Sequence, residues 1–181
     1  RLLKNKPGYW DLPELPELGS PLSQSGIIAK SQGEFSKKFR TKGCFFGVNG
    51  ASGLIQSAVI AMANPRETIL MPRNVHISVI KACAMQNILP IFFDLEFSSE
   101  TGHYKPITKI WLENVFKKID FNEKKIVGVI LVSPSYHGYA EDLEPLIDLC
   151  HQKNLPVLVD EAHGSYFLFC ENLNLPKSAL L

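Results

Sequence analysis

Cysteine is scarce in this sequence and occurs in none of the patterns that it forms in metal or disulfide sites. The chain has 181 residues and four cysteines, Cys44, Cys83, Cys150 and Cys170, with no Cys-x-x-Cys pair among them. Such widely separated cysteines argue against a structural zinc site and against a small domain held together by disulfides. They are typical of reduced thiols, and we therefore expect a cytoplasmic protein.

An excess of one charge and a long hydrophobic run are also missing. The 19 basic residues are scattered, the 18 acidic residues nearly balance them, and the net charge is +1, so nothing favours nucleic acid or a membrane surface. The longest apolar stretch, Leu54 to Ala63, is interrupted by Gln56 and Ser57 and is too short to cross a bilayer. The charged amino-terminal residues do not resemble a signal peptide. We expect neither a nucleic-acid partner nor a membrane partner.

The glycine-rich patterns of nucleotide-binding proteins do not occur either. The sequence contains neither Gly-x-Gly-x-x-Gly nor Gly-x-x-x-x-Gly-Lys-Ser/Thr. This absence matters because Asp160-Glu-Ala-His163 matches the metal-binding box of a class of RNA helicases. Those enzymes also need a lysine-bearing phosphate loop, so the sequence argues against a helicase. No further metal ligands stand at a suitable spacing around Asp160 and His163, and we expect no metal site.

What the sequence does contain is a regular alternation of short apolar strands and helices. Short apolar strands separated by helices predict an α/β fold with a mostly parallel, doubly wound sheet. The predicted strands are Thr68–Met71, Leu89–Asp94, Ile126–Val132 and Pro156–Val159. The predicted helices of this part are Leu54–Ala63, Ile77–Met85, Ile107–Ile119 and Asp142–Lys153. The first of these helices is apolar on nearly all faces, which predicts that it is buried.

The amino-terminal part has a different composition. Residues 1–26 are rich in proline, glycine and leucine, and the prolines predict an extended arm that packs on other parts of the protein. A helix is predicted over Ile27–Phe39, a short strand over Cys44–Val48 and a turn over Asn49–Gly53. We therefore divide the chain into an arm, residues 1–26, and a domain, residues 27–181.

Polar segments follow several of the predicted strands. Asn49–Gly53 has small residues that let a ligand approach the backbone, and a helix start that attracts an anion, although a tight turn explains it equally well. In Pro72–His76, His76 is suited to lie against a flat ligand, while the alternative is a helix capped by Asn74. The hydroxyl groups and His137 of Ser133–Gly138 are suited to face a cleft at these strand ends, while the alternative is that the segment is simply a turn.

The last predicted strand delivers an acidic residue and a histidine together at its carboxyl end. In open α/β sheets, ligands bind just outside the carboxyl ends of the parallel strands. Asp160 and His163 in Val157–Gly164 are therefore candidate catalytic residues.

Taken in order, these segments resemble the Orn/Lys/Arg decarboxylase family of pyridoxal-phosphate enzymes, which have the aspartate-aminotransferase fold. Any single segment is a weak signal, but the whole series in the family's order is specific. The matching segments are Asp11-Leu-Pro-Glu-Leu15, Phe46-Gly-Val-Asn-Gly-Ala-Ser-Gly53, Pro72-Arg-Asn-Val-His76, Ser133-Pro-Ser-Tyr-His-Gly138 and Val157-Leu-Val-Asp-Glu-Ala-His-Gly164.

The resemblance implies pyridoxal 5'-phosphate as the cofactor and a phosphate site at the start of a helix. Gly50, Ala51 and Ser52 would hold the phosphate there. His76 would stack on the face of the cofactor ring and fix its tilt.

The resemblance also implies roles for the segment after the last strand. Asp160 would face the pyridine nitrogen and keep it protonated, so that the ring accepts the electrons released when a carboxyl group leaves. His163 would lie beside the ring as a second catalytic residue, and Ala162 would pack against it.

The sequence departs from the family at the lysine that holds the cofactor covalently. Family members carry this Schiff-base lysine in a Ser-x-His-Lys-like segment beyond the Asp-Glu-Ala-His-Gly motif, whereas the one lysine after Asp160 is Lys177. We therefore expect an incomplete large domain, truncated before that lysine. The intact protein would be a homodimer or larger homo-oligomer that decarboxylates lysine, ornithine or arginine. This chain would be an inactive fragment of it or, alternatively, a non-catalytic remnant that acts as a binding or dimerisation module.

Overall fold

The computed structural model of the protein describes residues 9, 12–13, 15–20, 25–121, 123–169, 173 and 175–180. The chain separates into two units, Arg1–Val48 and Asn49–Leu181. Each unit has its own internal contacts, and the strands of the predicted sheet all belong to the second.

The first unit contains one helix, α1, over Gly26–Lys38 in its described part, which confirms the helix predicted over residues 27–39. Part of the predicted arm is bonded to the start of this helix. The amide of Ile27 donates to the carbonyl of Glu17 at 3.1 Å, and the amide of Ile28 donates to that of Leu18 at 3.2 Å. Much of the arm, residues 1–8, 10–11, 14 and 21–24, lies outside the described residues.

The strand predicted over Cys44–Val48 is wrong. These residues form no strand, and their apolar side chains are exposed, with Phe45 at 67% and Val48 at 83%. A strand exists only where its backbone groups pair with a neighbouring strand, and a short apolar run does not specify such a partner.

The second unit is built on a sheet of four parallel strands. The strands are β1 (Thr68–Pro72), β2 (Leu89–Phe93), β5 (Ile126–Val132) and β6 (Val157–Asp160), in the spatial order β2-β1-β5-β6. The register pairs Thr68 of β1 with Leu89 of β2, and Val132 of β5 with Asp160 of β6. These strands confirm the predicted ones to within one residue at each end.

Helices cover both faces of the sheet, as expected for a doubly wound fold. Helix α2 (Gly50–Met62) and helix α3 (Ile77–Gln86) pack on one face, and helix α4 (Lys109–Lys117) and helix α5 (Glu144–His151) pack on the other. Because side chains alternate along a strand, Ile130 of β5 contacts the first pair and its neighbours contact the second. Both faces are therefore apolar, which explains the continuous apolar strands.

The apolar residues between the sheet and the helices form one core on each face, and they are deeply buried. Ile69, Leu70 and Met71 of β1 and Leu131 of β5 have no exposed surface. Burial of a side chain of this size stabilises the fold by roughly 1.5–3 kcal/mol. Burial also raises the pKa of the Cys150 thiol to about 11.

Helix α2 differs from its prediction in two ways. It begins at Gly50 instead of Leu54, so the residues predicted as a turn form its first turn. It is also half-buried instead of fully buried, because Val59 is buried whereas Leu54 is 40% exposed. The sequence pattern shows only that all faces of α2 are apolar. It does not show that, within the second unit, just one of these faces packs against other residues.

A small hairpin was not predicted. Strands β3 (Phe97–Ser98) and β4 (His103–Tyr104) pair antiparallel within a segment predicted as a loop. Two-residue strands are too short to produce a periodic pattern. Within the described ranges, no helix has the length and apolarity that crossing a bilayer requires.

Candidate active site

A cleft of about 470 Å³ opens at the carboxyl ends of β1, β5 and β6. Its volume is in the range of small-molecule and cofactor sites. It lies where an open α/β sheet binds its ligands. The residues that line it are Ala51, Ser52, Ile55, Asn74, Val75, His76, Ile77, Val132, Pro134, Tyr136, Asp160, Ala162 and His163.

Ala51 and Ser52 form the end of the cleft at the start of helix α2. The preceding residue, Gly50, has a φ of +63°, a backbone conformation that favours glycine. Gly50 does not line the cleft itself. The side chain of Asn49 makes no capping bond, so the first amides of the helix are left to a ligand or solvent. A helix start of this kind attracts an anion.

His76 stands at the amino terminus of helix α3 and lines the cleft. Its Nδ1 accepts from the amide of Ser78 at 3.2 Å and lies 2.8 Å from the Ser78 hydroxyl. The histidine therefore caps the helix, not Asn74. The contacts of Nδ1 with Ser78 fix the plane of the ring.

Asp160 ends strand β6 and is 8% exposed. Its Oδ1 accepts from the amide of Ala162 at 3.2 Å, and its carbonyl accepts from the amide of Ser133 at 3.1 Å. These bonds hold the carboxylate at the cleft, with Ala162 beside it.

His163 and Tyr136 meet across the cleft. Their ring centroids are 5.8 Å apart and the rings are nearly perpendicular, at 88°. Tyr136 is 85% exposed. From the segment Ser133–Gly138, Pro134 and Tyr136 thus reach the cleft. In contrast, His137 stacks on His103 with centroids 4.1 Å apart, and does not line it.

The sequence did not identify several apolar residues that line the cleft, and it did not show that Asn74 lines the cleft as well. Ile55 follows Ala51 by one helical turn, so correct placement of the start of α2 would have identified it. The Oδ1 atom of Asn74 is buried without a hydrogen-bond partner. Arg73 is turned away to Asp94, with Nε 2.6 Å from Oδ1. An orphaned acceptor at the edge of a cleft is suited to a ligand donor.

Solved structures with a similar fold include an aminotransferase. A crystal structure of a complex of SepCysS with the SepCysE N-terminal domain aligns with a TM-score of 0.66 at 18% identity, over 87% of this chain and 40% of that one. N-Succinyldiaminopimelate aminotransferase from Mycobacterium tuberculosis aligns with a TM-score of 0.50 at 18% identity, over 62% and 28%. At such identities the likeness shows the fold, which is aminotransferase-like, as predicted.

Similar sequences carry decarboxylase names. The arginine decarboxylase of Bacillus subtilis (strain 168) is 35% identical over 94% of this chain and 34% of its own length. That of Halalkalibacterium halodurans is 36% identical over 86% and 30%. Lysine decarboxylase LdcA of Pseudomonas aeruginosa is 26% identical over 92% and 19%. The chain therefore spans about a third of the length of the arginine decarboxylases it matches.

The match to a family model is consistent with both comparisons. The model of the Orn/Lys/Arg decarboxylase major domain matches residues 10–181, which include both the cleft and its supporting sheet. This protein therefore belongs to the Orn/Lys/Arg decarboxylase family.

Proposed function

We propose that these residues form the cofactor side of a pyridoxal-phosphate-dependent decarboxylase that acts on a basic amino acid. One observation carries the proposal. The start of α2, His76 after β1, and Asp160 and His163 after β6 come from three separate segments and line one cleft. Similarity to proteins named arginine decarboxylase and lysine decarboxylase supports a basic amino acid as the substrate.

The donor set at the start of α2 fits the phosphate group of this cofactor. The first amides of the helix carry no cap from Asn49, and the helix dipole places partial positive charge there. Ser52 is exposed to the cleft and can add a hydroxyl donor. We propose that Ala51 and Ser52 bind the phosphate through these groups, while Gly50 provides the backbone turn.

The other side of the cleft fits a flat aromatic ring. His76 is held in one orientation by its bonds to Ser78, so its ring can pack against the cofactor without losing further conformational freedom. Ala162 is small enough to leave room for the ring, and His163 lies at its edge beside Tyr136.

Asp160 would hold a proton on the pyridine nitrogen of the bound cofactor. A charge-assisted bond of this type is worth about 1.5–3 kcal/mol. When bound, the cofactor supplies an electron sink for the pair released with carbon dioxide. The carboxylate keeps its place because the amide of Ala162 already binds Oδ1.

Decarboxylation also needs a lysine, and we propose that it comes from outside these residues. Among the described residues that line the cleft, none is a lysine. Lys177 lies in another part of the unit, with Nζ 3.9 Å from Oε2 of Glu144. We therefore expect the 181-residue chain to bind the cofactor without decarboxylating an amino acid.

Titration of the chain with pyridoxal phosphate tests the proposal. Binding is followed by the absorbance and fluorescence of the cofactor, in the parental chain and in Asp160→Asn and Ser52→Ala. We expect each substitution to weaken binding by about tenfold, the ratio that one charged or helix-terminal hydrogen bond represents. Asp148→Asn is the matched control, because Asp148 is an exposed aspartate on α5 that does not line the cleft.

The proposal fails if the parental chain does not bind the cofactor, or if Asp160→Asn binds it as tightly as Asp148→Asn does.

A second candidate is a non-catalytic module that pairs with another subunit. Exposed apolar residues on this face of the sheet favour it, because Leu54 of α2 is 40% exposed and Ile77 of α3 is 55% exposed. We propose a homodimer or larger homo-oligomer on this ground. Light scattering on the chain with and without pyridoxal phosphate separates the candidates: a dimer that binds no cofactor supports the module.

A further inference from the structure

Glu161 follows Asp160 but does not line the cleft. Both of its carboxylate oxygens bind a segment that lies far along the chain. The hydroxyl of Ser178 donates to Oε2 at 2.6 Å, across a separation of 17 residues, and the amide of Ala179 donates to Oε1 at 3.2 Å, across 18. A carboxylate that accepts two hydrogen bonds is a strong and directional link.

The far end of this link is buried and makes a further hydrogen bond. Ser178 is 3% exposed. Its Oγ also accepts from the amide of Leu180 at 3.2 Å. A buried hydroxyl that donates in one direction and accepts in the other is fixed in orientation, so it can hold Glu161 in place.

The near end is fixed by close packing. Gly164 donates its amide to the carbonyl of Glu161 at 2.9 Å. A Cβ atom at Gly164 would lie 2.7 Å from Cγ of Glu161 and 2.6 Å from Cδ of Pro134, which is closer than real side chains approach. Gly164 is therefore packed closely between the side chain of Glu161 and Pro134, a residue that lines the cleft.

We infer that Glu161 is a positioning residue for the cofactor site. Its carboxylate ties Ser178 and Ala179 to the loop 160–164, and this link fixes the direction in which Asp160 and His163 face the cleft. The inference rests on the proposed function, because it concerns the same cleft. Glu161 itself does not line the cleft.

Hydrogen–deuterium exchange of the 181-residue chain without cofactor tests the link directly. We expect faster exchange in peptides that cover residues 160–164 for Glu161→Ala and Ser178→Ala. Glu161→Gln should exchange like the parental chain, because its amide oxygen still accepts from Ala179 and its amide group can donate to Ser178. Glu144→Ala is the matched control, because Glu144 is an exposed glutamate whose Oε2 lies 3.9 Å from Nζ of Lys177 in the same segment.

Cofactor affinity then tests the consequence for the site. We expect Glu161→Ala and Ser178→Ala each to weaken pyridoxal phosphate binding by about tenfold. The double variant should bind no more weakly than Glu161→Ala, because both substitutions break one link. The circular dichroism of the bound cofactor should change in Glu161→Ala and recover in Glu161→Gln, which a loss of stability alone would not produce.

The two proposals fail in different ways. A parental chain that binds no pyridoxal phosphate defeats the proposed function and this inference, while the exchange data still report whether the link exists. If the parental chain binds and both alanine variants exchange and bind like Glu144→Ala, the positioning role is overturned. If Glu161→Ala does not fold, Ser178→Ala and Ser178→Thr are compared instead, by hydrogen–deuterium exchange and by cofactor affinity. The positioning role is overturned if these two variants do not differ.

Discussion

Asp160 and Glu161 are neighbours that make different contacts. Asp160 is the last residue of β6 and lines the cleft, whereas Glu161 lies just beyond the strand and does not line it. Asp160 accepts from Ala162 within its own loop, whereas Glu161 accepts from Ser178 and Ala179. Sequence reasoning selected Asp160 by its place at a strand end. It gave no role to Glu161, because the partner of Glu161 lies beyond any local pattern.

His76 has two separable tasks, and substitution by serine and by alanine should separate them. Serine at this position keeps a helix cap but lacks the ring. We expect His76→Ala to lower the free energy of unfolding by about 1 kcal/mol and to weaken cofactor binding. His76→Ser should weaken binding equally while retaining most of the stability.

Urea unfolding and cofactor titration of both variants check this prediction. A His76→Ser variant that binds pyridoxal phosphate as tightly as the parental chain would contradict the role given to the His76 ring.

Glu67 should make stability depend on pH in acid. Its hydrogen bond to Lys125, with 2.6 Å between Oε1 and Nζ, and its bond from the amide of Asn64 lower the pKa of the carboxyl below its ordinary value of 4.5. The charged form is therefore favoured in the folded chain. Its contribution is present above pH 4.5 and disappears as the pH falls through the lowered pKa.

Urea unfolding of the parental chain and Glu67→Gln between pH 3 and 7 tests this, with Glu100→Gln, an exposed residue of the β3–β4 turn, as the control. We expect the parental chain to be the more stable one above about pH 4.5, with a difference that shrinks in acid. A difference that stays constant across this range, or that matches Glu100→Gln, would contradict the assignment.

At the scale of elements, β5 is the centre of the second unit. It lies between β1 and β6, and Leu131 has no exposed surface. We expect Leu131→Ala to lower the free energy of unfolding by about 2–5 kcal/mol, because it removes packing and leaves a cavity. Ile110→Ala, at a 71% exposed position on α4, should change it by less than about 0.5 kcal/mol. Equal losses in chemical denaturation would show that β5 is not the core strand.

The elements that could be predicted from the sequence are those that are buried on all sides. Strand β5 is covered on both faces, so its residues form an unbroken apolar run and its limits agree with the prediction at both ends. The start of α2 was not predictable in this way, because glycine and serine at a helix start have the composition of a turn. Cys44–Val48 shows the reverse error, since an apolar run does not guarantee a partner strand.

At the scale of the whole molecule, the grouping of candidate residues from distant segments around one cleft was predictable from the strand topology. The carboxyl ends of parallel strands share one edge of the sheet, so segments after β1, β5 and β6 meet without any pattern that links them in sequence. Contacts that depend on side-chain direction were not predictable. Examples are His137 on His103 and the buried acceptor of Asn74.

A crystal structure of the chain with pyridoxal phosphate would test the central claim most directly. We expect the ring to lie in the cleft against His76, with its phosphate at Ala51 and Ser52 and its nitrogen at Asp160. A ring bound elsewhere, or one placed in the cleft with its phosphate towards Asp160, would contradict the account.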